Sequence, residues 1–141
     1  MTPLNLSKSP PRAPRAELDG LMFLPRSIDK VRASLAGGDL GEYTIPGFTQ
    51  MMLDELGVSV EAFTGAVAEA KTDAEVAAFL RKHSSQDKYD RWNAFVSQRQ
   101  PRGGNRNEAL AAYSWLHTRP DLILAVDVLE EDDKQHFARA N

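Results

Sequence analysis

Residues Leu24–Tyr43 read LPRSIDKVRASLAGGDLGEY, and the architecture expected for the whole chain follows from them. Pro25 suits the first turn of a helix, where its missing N–H leaves no hydrogen bond unmade. Ile28, Val31 and Leu35 then recur at helical spacing and mark one apolar face. Gly37-Gly38 stops the helix, and Asp39 to Tyr43 reads as a turn closed by Gly41. Arg26, Asp29 and Lys30 stand at i, i+3 and i+4 on the face opposite the apolar stripe. The spacing lets Asp29 pair with Arg26 or Arg32.

The same grammar repeats along the chain. Pro46 opens a second helix, with Phe48, Met51, Met52 and Leu56 inward and Gly57 past its end. Ser59 caps a third helix, whose stripe is Val60, Phe63, Val67 and Ala70. Thr72-Asp73-Ala74-Glu75 is a capping box, and Val76, Phe79 and Leu80 form that helix's inner face. Ser84 or Ser85 caps a fifth helix with Tyr89, Trp92, Phe95 and Val96 inward, and Asn93 on the same face needs polar partners. A sixth helix starts at Asn105 or Asn107, carries Ala109, Ala112, Tyr113 and Leu116 on one side, and ends at Pro120. Asp127 caps a last helix that ends at Phe137.

Two stretches depart from this pattern. Residues 1–15 hold Pro3, Pro10, Pro11 and Pro14, which impose extended backbone, so an arm is expected there, tacked down by Leu4 and Leu6. A short helical turn near Ala16–Gly20 follows it. Leu122–Val126 is the single strand-like run, and with no partner strand it reads as extended packing or a helical turn. The expected fold is therefore all-α: a compact domain over residues 16–141 of six or seven short helices, preceded by a proline-rich arm over 1–15.

Composition narrows the function classes. The 141 residues are 42% hydrophobic and 26% charged, as in ordinary soluble domains. Cysteine is absent, which removes disulfides, thiolate nucleophiles and thiolate metal sites. No run of about 18 apolar residues occurs, so no membrane span is expected, and the N-terminus lacks the apolar core of a secretory leader. A soluble, cytoplasmic protein is the expectation. The net charge of −3 argues against bulk nucleic-acid binding. Residues 1–35 nevertheless carry a net +3 and residues 121–141 a net −4, and opposite charges of this kind usually meet within one fold.

Four groups of residues have chemistry to offer. Arg26, Asp29, Lys30 and Arg32, with Glu42 and Tyr43 on the following turn, have the makings of an anion clamp: a planar fork, a point charge and a hydroxyl. The plainer reading is a solvated face whose ion pairs contribute about 0–1 kcal/mol each. Arg102, Gly103, Gly104 and Arg106 form a second, weaker anion site, since glycines before a helix start can turn N–H groups toward a ligand. A flexible interhelical loop is the plainer reading of that segment, and the spacing is not that of a phosphate loop. Tyr89, Trp92, Tyr113 and Trp115 lie among basic residues and have the means to stack bases, but helical aromatic stripes usually pack, with Trp115 off its stripe. Asp133 and His136 share a face, yet a dimetal site needs that pair twice. No metal or cofactor is expected.

The pattern L-P-R-x-I-D-K-x-R-A-x-L-A-G…L-G-E-Y resembles a family of small bacterial proteins known only as a domain of unknown function. The lead-in Ser9–Arg15, Leu56-Gly57-Val58 with Phe63, and the helix through Asp73 and Val76 resemble it too, so the likeness spans most of residues 7–95. The resemblance implies that Arg26, Asp29, Lys30, Glu42 and Tyr43 belong to the family signature, and it brings no mechanism. Where relatives follow the tyrosine with a cysteine or acid near a proline, this chain has Thr44-Ile45-Pro46-Gly47-Phe48.

The function expected is a binding or interaction module that holds an anionic small molecule or an acidic protein segment at the Arg26–Lys30 face and the Gly41–Tyr43 turn. The alternative is a small enzyme acting on an anionic metabolite, with Glu42 or Tyr43 moving a proton. Weak binding of single-stranded nucleic acid ranks third. Length and helix count fit a monomer or a dimer equally.

Overall fold

Asp19-Gly20 makes the first local decision in the chain, and it is not helical. Both residues sit at positive φ, 52° and 73°. A two-residue hairpin turn requires that conformation, and Asp-Gly supplies it at little cost. The expected helical turn at 16–20 is thus replaced by a short antiparallel hairpin, β1 (Glu17–Leu18) and β2 (Leu21–Met22), in the register Glu17↔Met22 and Leu18↔Leu21. The computed structural model describes residues 1–139. Among them are seven α-helices: α1 (Leu24–Ser34), α2 (Phe48–Leu56), α3 (Val60–Glu69), α4 (Asp73–His83), α5 (Gln86–Gln98), α6 (Arg106–Ala112) and α7 (Ala125–Arg139). The chain is therefore mostly helical with one small sheet, and none of these helices is long and apolar enough to cross a membrane.

The chain packs as two compact units, dividing after Asn93 within α5. In the first unit the apolar stripes of α1 to α4 are buried through Ile28, Val31, Met52, Leu56, Phe63, Val67 and Val76, but Met51 is exposed and Leu53 is buried in its place, because α2 packs through a face turned from the expected one. Two buried hydroxyls, Ser27 Oγ and Thr49 Oγ1, meet at 2.9 Å and join α1 to α2. The start of α5 grips the hairpin. Trp92 Nε1 donates to the Met22 carbonyl at 2.9 Å, Asn93 Oδ1 accepts from the Met22 amide, and Asn93 Nδ2 donates to Gly20 O. Asn93 therefore finds its polar partners in the strand and turn backbone.

Helix starts follow the caps in α3 and α4 and depart from expectation at α2. Pro46 lies in the turn before α2, which begins at Phe48 with Gly47 as its N-cap. Ser59 and Thr72 cap α3 and α4 by accepting from Ala62 N and Glu75 N. The capping box is displaced by one residue, however: Glu75 accepts from Lys71 N at 2.7 Å. Phe95 is 41% exposed, with the Arg99 guanidinium over its ring at 5.3 Å, so it does not belong to the inner stripe.

The second unit corrects the remaining expectations. Asn105 caps α6, but the helix stops at Ala112 and the chain tightens into a single 3-10 turn over Ser114–Thr118. Ala109, Leu116 and Val128 form the buried centre there, and Ala112 faces solvent. Residues 122–124 are irregular, and α7 begins at Ala125, so Asp127 lies in its first turn and the helix runs beyond Phe137. Trp115 is half-buried and donates to Asp132 Oδ1 at 2.8 Å.

Candidate functional site

The site is built from the entry to α1. Phe23 precedes the helix at φ 73°, ψ −9°. For a bulky residue this left-handed conformation costs about 1–3 kcal/mol. Its surroundings hold it there. The Phe23 amide donates to Ala16 O at 3.2 Å, and its carbonyl accepts from Ser27 N at 3.0 Å. Its ring packs on Phe48, with centroids 5.7 Å apart, and edge-on to Trp92 at 6.4 Å. Held this way, the ring lies under the polar side of α1.

That side is not the wet face implied by helical spacing. Arg26 is 1% exposed and Asp29 5%. The reason is that the N-terminal segment and the Asp39–Tyr43 turn both lie against α1, so polar residues opposite the core are covered too. The two charges also part company. Arg26 and Lys30 face one pair of rings: the guanidinium carbon is 5.8 Å from the Phe23 centroid and 5.5 Å from that of Tyr43, and Lys30 Nζ is 5.8 and 5.9 Å from the same two. These are cation–π distances. Lys30 and Tyr43 are half-buried, and Glu42 is exposed on the turn beside them.

Asp29 turns the other way and pairs with neither Arg26 nor Arg32. Its carboxylate accepts from the Arg12 amide at 2.8 Å, from Arg12 Nε at 3.1 and 3.2 Å, and from Arg12 Nη2 at 3.0 Å. Arg12 continues to Asp73 through Nη1 at 2.6 Å and Nη2 at 3.2 Å. The hydrogen bond to Asp73, together with the bonds and charge of Asp29, holds this guanidinium well above the usual arginine range, against the opposing effect of burial. Arg26 Nη1 donates to the Arg12 carbonyl at 3.3 Å. Arg32 donates to Thr2, Nε to the carbonyl at 2.9 Å and Nη2 to Oγ1 at 3.0 Å. Backbone pairing adds to this grip, with Leu6 N to Asp39 O at 2.7 Å and Asp39 N to Leu4 O at 3.0 Å. A Cβ on Gly41 would stand 2.8 Å from the Leu6 carbonyl, so a glycine is needed where the turn crosses the N-terminal segment.

The six residues of the sequence-derived site are thus split by the helix. Arg26, Lys30 and Tyr43 come together over aromatic rings, with Glu42 nearby. Asp29 and Arg32 engage the N-terminal segment. Sequence reasoning missed Arg12 and Asp73, which lie 61 residues apart. It also missed Phe23, whose ring is the floor under both cations. The one available signal for Arg12 was its place in the lead-in Ser9–Arg15.

The second expected site has a different local logic. Arg102, Gly103 and Gly104 take φ of 55°, 66° and 90°, a left-handed turn closed by Gly103 N to Gln100 O and Asn105 N to Arg102 O. The α6 start is capped by Asn105 Oδ1, which accepts from Glu108 N at 3.1 Å. Arg106 Nη1 donates to the Leu122 carbonyl at 2.9 Å. Among the described residues no cluster of three histidine, aspartate or glutamate side chains has metal-binding geometry.

The model of one protein family, described as a domain of unknown function (DUF5069), matches residues 8–135. No curated protein matches the chain. The match runs from the lead-in of the N-terminal segment into α7, and the chain belongs to the DUF5069 family.

Proposed function

We propose that this family member is a binding module whose ligand is an anionic small molecule or an acidic protein segment, held at Lys30 and Tyr43. The observation that carries the reading is the pairing of two cations over the same two rings. Arg26 and Lys30 are one helical turn apart on α1. An approaching anion meets the Lys30 ammonium and the Tyr43 hydroxyl first. The buried Arg26 guanidinium adds its charge from behind, where low dielectric strengthens it. The left-handed Phe23 supports the same reading, because strain of this kind concentrates at ligand clamps. On this reading the proline-rich N-terminal segment is an arm fastened to α1 by Asp29 and Arg32, and it keeps the helix rigid beneath the site.

The test is a thermal-shift screen of the full chain with citrate, inorganic pyrophosphate and a glutamate-rich peptide. At least one should raise the melting temperature. Lys30→Met and Tyr43→Phe should keep the unliganded melting temperature and lose that rise. Arg26 is left intact because it is buried and its removal would disturb the fold. Absence of any shift, or a shift that survives Lys30→Met, overturns the proposal.

A further inference from the structure

We infer that the open groove between the N-terminal segment and α1 is a second binding site, distinct from that of Lys30 and Tyr43, and that it takes a small free monocarboxylate with an apolar chain. The groove measures about 490 Å³. Small-molecule sites commonly span about 300–1,000 Å³. Leu4, Leu6 and Pro10 line it from the N-terminal segment, and Arg32 and Asp29 line it from α1. Arg12, Asp73 and Met1 also line it.

The charges decide what fits. Asp29 and Asp73 are already satisfied by Arg12: one accepts from its amide, Nε and Nη2, the other from Nη1 and Nη2. Two carboxylates around one guanidinium leave this end of the groove with a net negative charge. Arg32 is different. Its bonds go to neutral oxygens of Thr2, and among the described residues no carboxylate pairs with it. Thr2 uses the side edge of the guanidinium, formed by Nε and Nη2. The end edge, formed by Nη1 and the second hydrogen of Nη2, remains for a ligand. That edge has the geometry of a bidentate carboxylate contact.

A monoanion is favoured because the lining as a whole, Arg12, Arg32 and the Met1 ammonium (held by the Val67 and Ala68 carbonyls) against Asp29 and Asp73, carries one net positive charge, and the two carboxylates repel a second negative charge. The apolar chain follows from half-buried Leu4 and exposed Pro10, whose hydrocarbon would be covered by it beside the buried Leu6. The inference does not depend on the Lys30–Tyr43 reading, because the two sites share no residue.

The experiment is an amide chemical-shift titration of the full chain with hexanoate, with hexanol and succinate as controls. Hexanoate should shift the amides of Leu4, Leu6 and Arg32 saturably. Hexanol lacks the charge and succinate carries two, so both should bind at least about tenfold more weakly. Arg32→Gln should weaken hexanoate at least about tenfold, and Lys30→Met should leave it unchanged. Thr2→Val removes the Oγ1 partner of Nη2, leaves the backbone carbonyl that accepts from Nε, and keeps the end edge, so it should retain binding. Three results overturn the inference: no saturable shift, shifts centred on Lys30 and Tyr43, or equal losses in Thr2→Val and Arg32→Gln.

Discussion

Asp29→Asn tests most directly whether the N-terminal segment is fastened by one carboxylate. The substitution keeps the shape, so no cavity complicates the result. The Asp29 side chain is 7% exposed and accepts from the Arg12 amide and from two guanidinium nitrogens. Hydrogen bonds to a charged partner contribute about 1.5–3 kcal/mol, against about 0.5–1.5 for neutral ones. Neutralising the acceptor of the Arg12 amide therefore loses about 1 kcal/mol. The guanidinium contact loses at most about 1 kcal/mol more, because Arg12 is 39% exposed and keeps Asp73. A total near 2 kcal/mol corresponds to about 6–8 °C in melting temperature for a chain of this size. The two compact units need not unfold together, so the local readout is amide exchange at Arg12. It should speed up on the order of 30-fold, and the amides of Leu4 and Leu6 should follow. A change of less than about threefold at Arg12, with the melting temperature unmoved, would refute the fastening role.

Tyr89→Phe should raise stability by about 1 kcal/mol, because the Tyr89 hydroxyl is buried and no protein group hydrogen-bonds to it; a loss in urea denaturation counts against this. Burial also pushes the Tyr89 phenol above its usual range, outweighing the lowering effect of Arg81. The unfolded chain then loses that proton first, so the associated stability is intact below about pH 10 and falls as pH rises toward the folded value. Phenolate absorbance should show one tyrosine titrating last, and Tyr89→Phe should remove that step. Gly38→Ala should destabilise by about 1–3 kcal/mol, since its Cβ would stand 2.5 Å from the Ala33 carbonyl at the end of α1; unchanged thermal stability would mean that the turn shifts freely.

Much of the helix inventory was legible in short-range chemistry. Ser59, Thr72 and Asn105 cap their helices because a short side-chain oxygen reaches N–H groups two or three residues on, a relation contained within one turn. The hairpin carries an equally local signal in Asp19-Gly20, but a glycine there fits a short helical turn as well as a hairpin, and only the pairing of Glu17–Leu18 with Leu21–Met22 separates the two. Phe95 and Ala112 show the limit of periodicity. Both recur at core spacing, yet exposure depends on what packs against the helix, and the period says nothing of that.

The site marks the same boundary. The sequence alone determined that Arg26, Asp29, Lys30 and Arg32 share one short helix and that Glu42 and Tyr43 sit on the turn after it, because helix geometry and glycine stops are local. Tertiary structure alone decided which way each charge points. Arg12 reaches Asp29 and Asp73 across 17 and 61 residues, and the covering segments turn an apparently solvated face into a buried one. Burial and partner choice depend on how the chain crosses over itself, and no spacing rule along a single helix encodes that crossing.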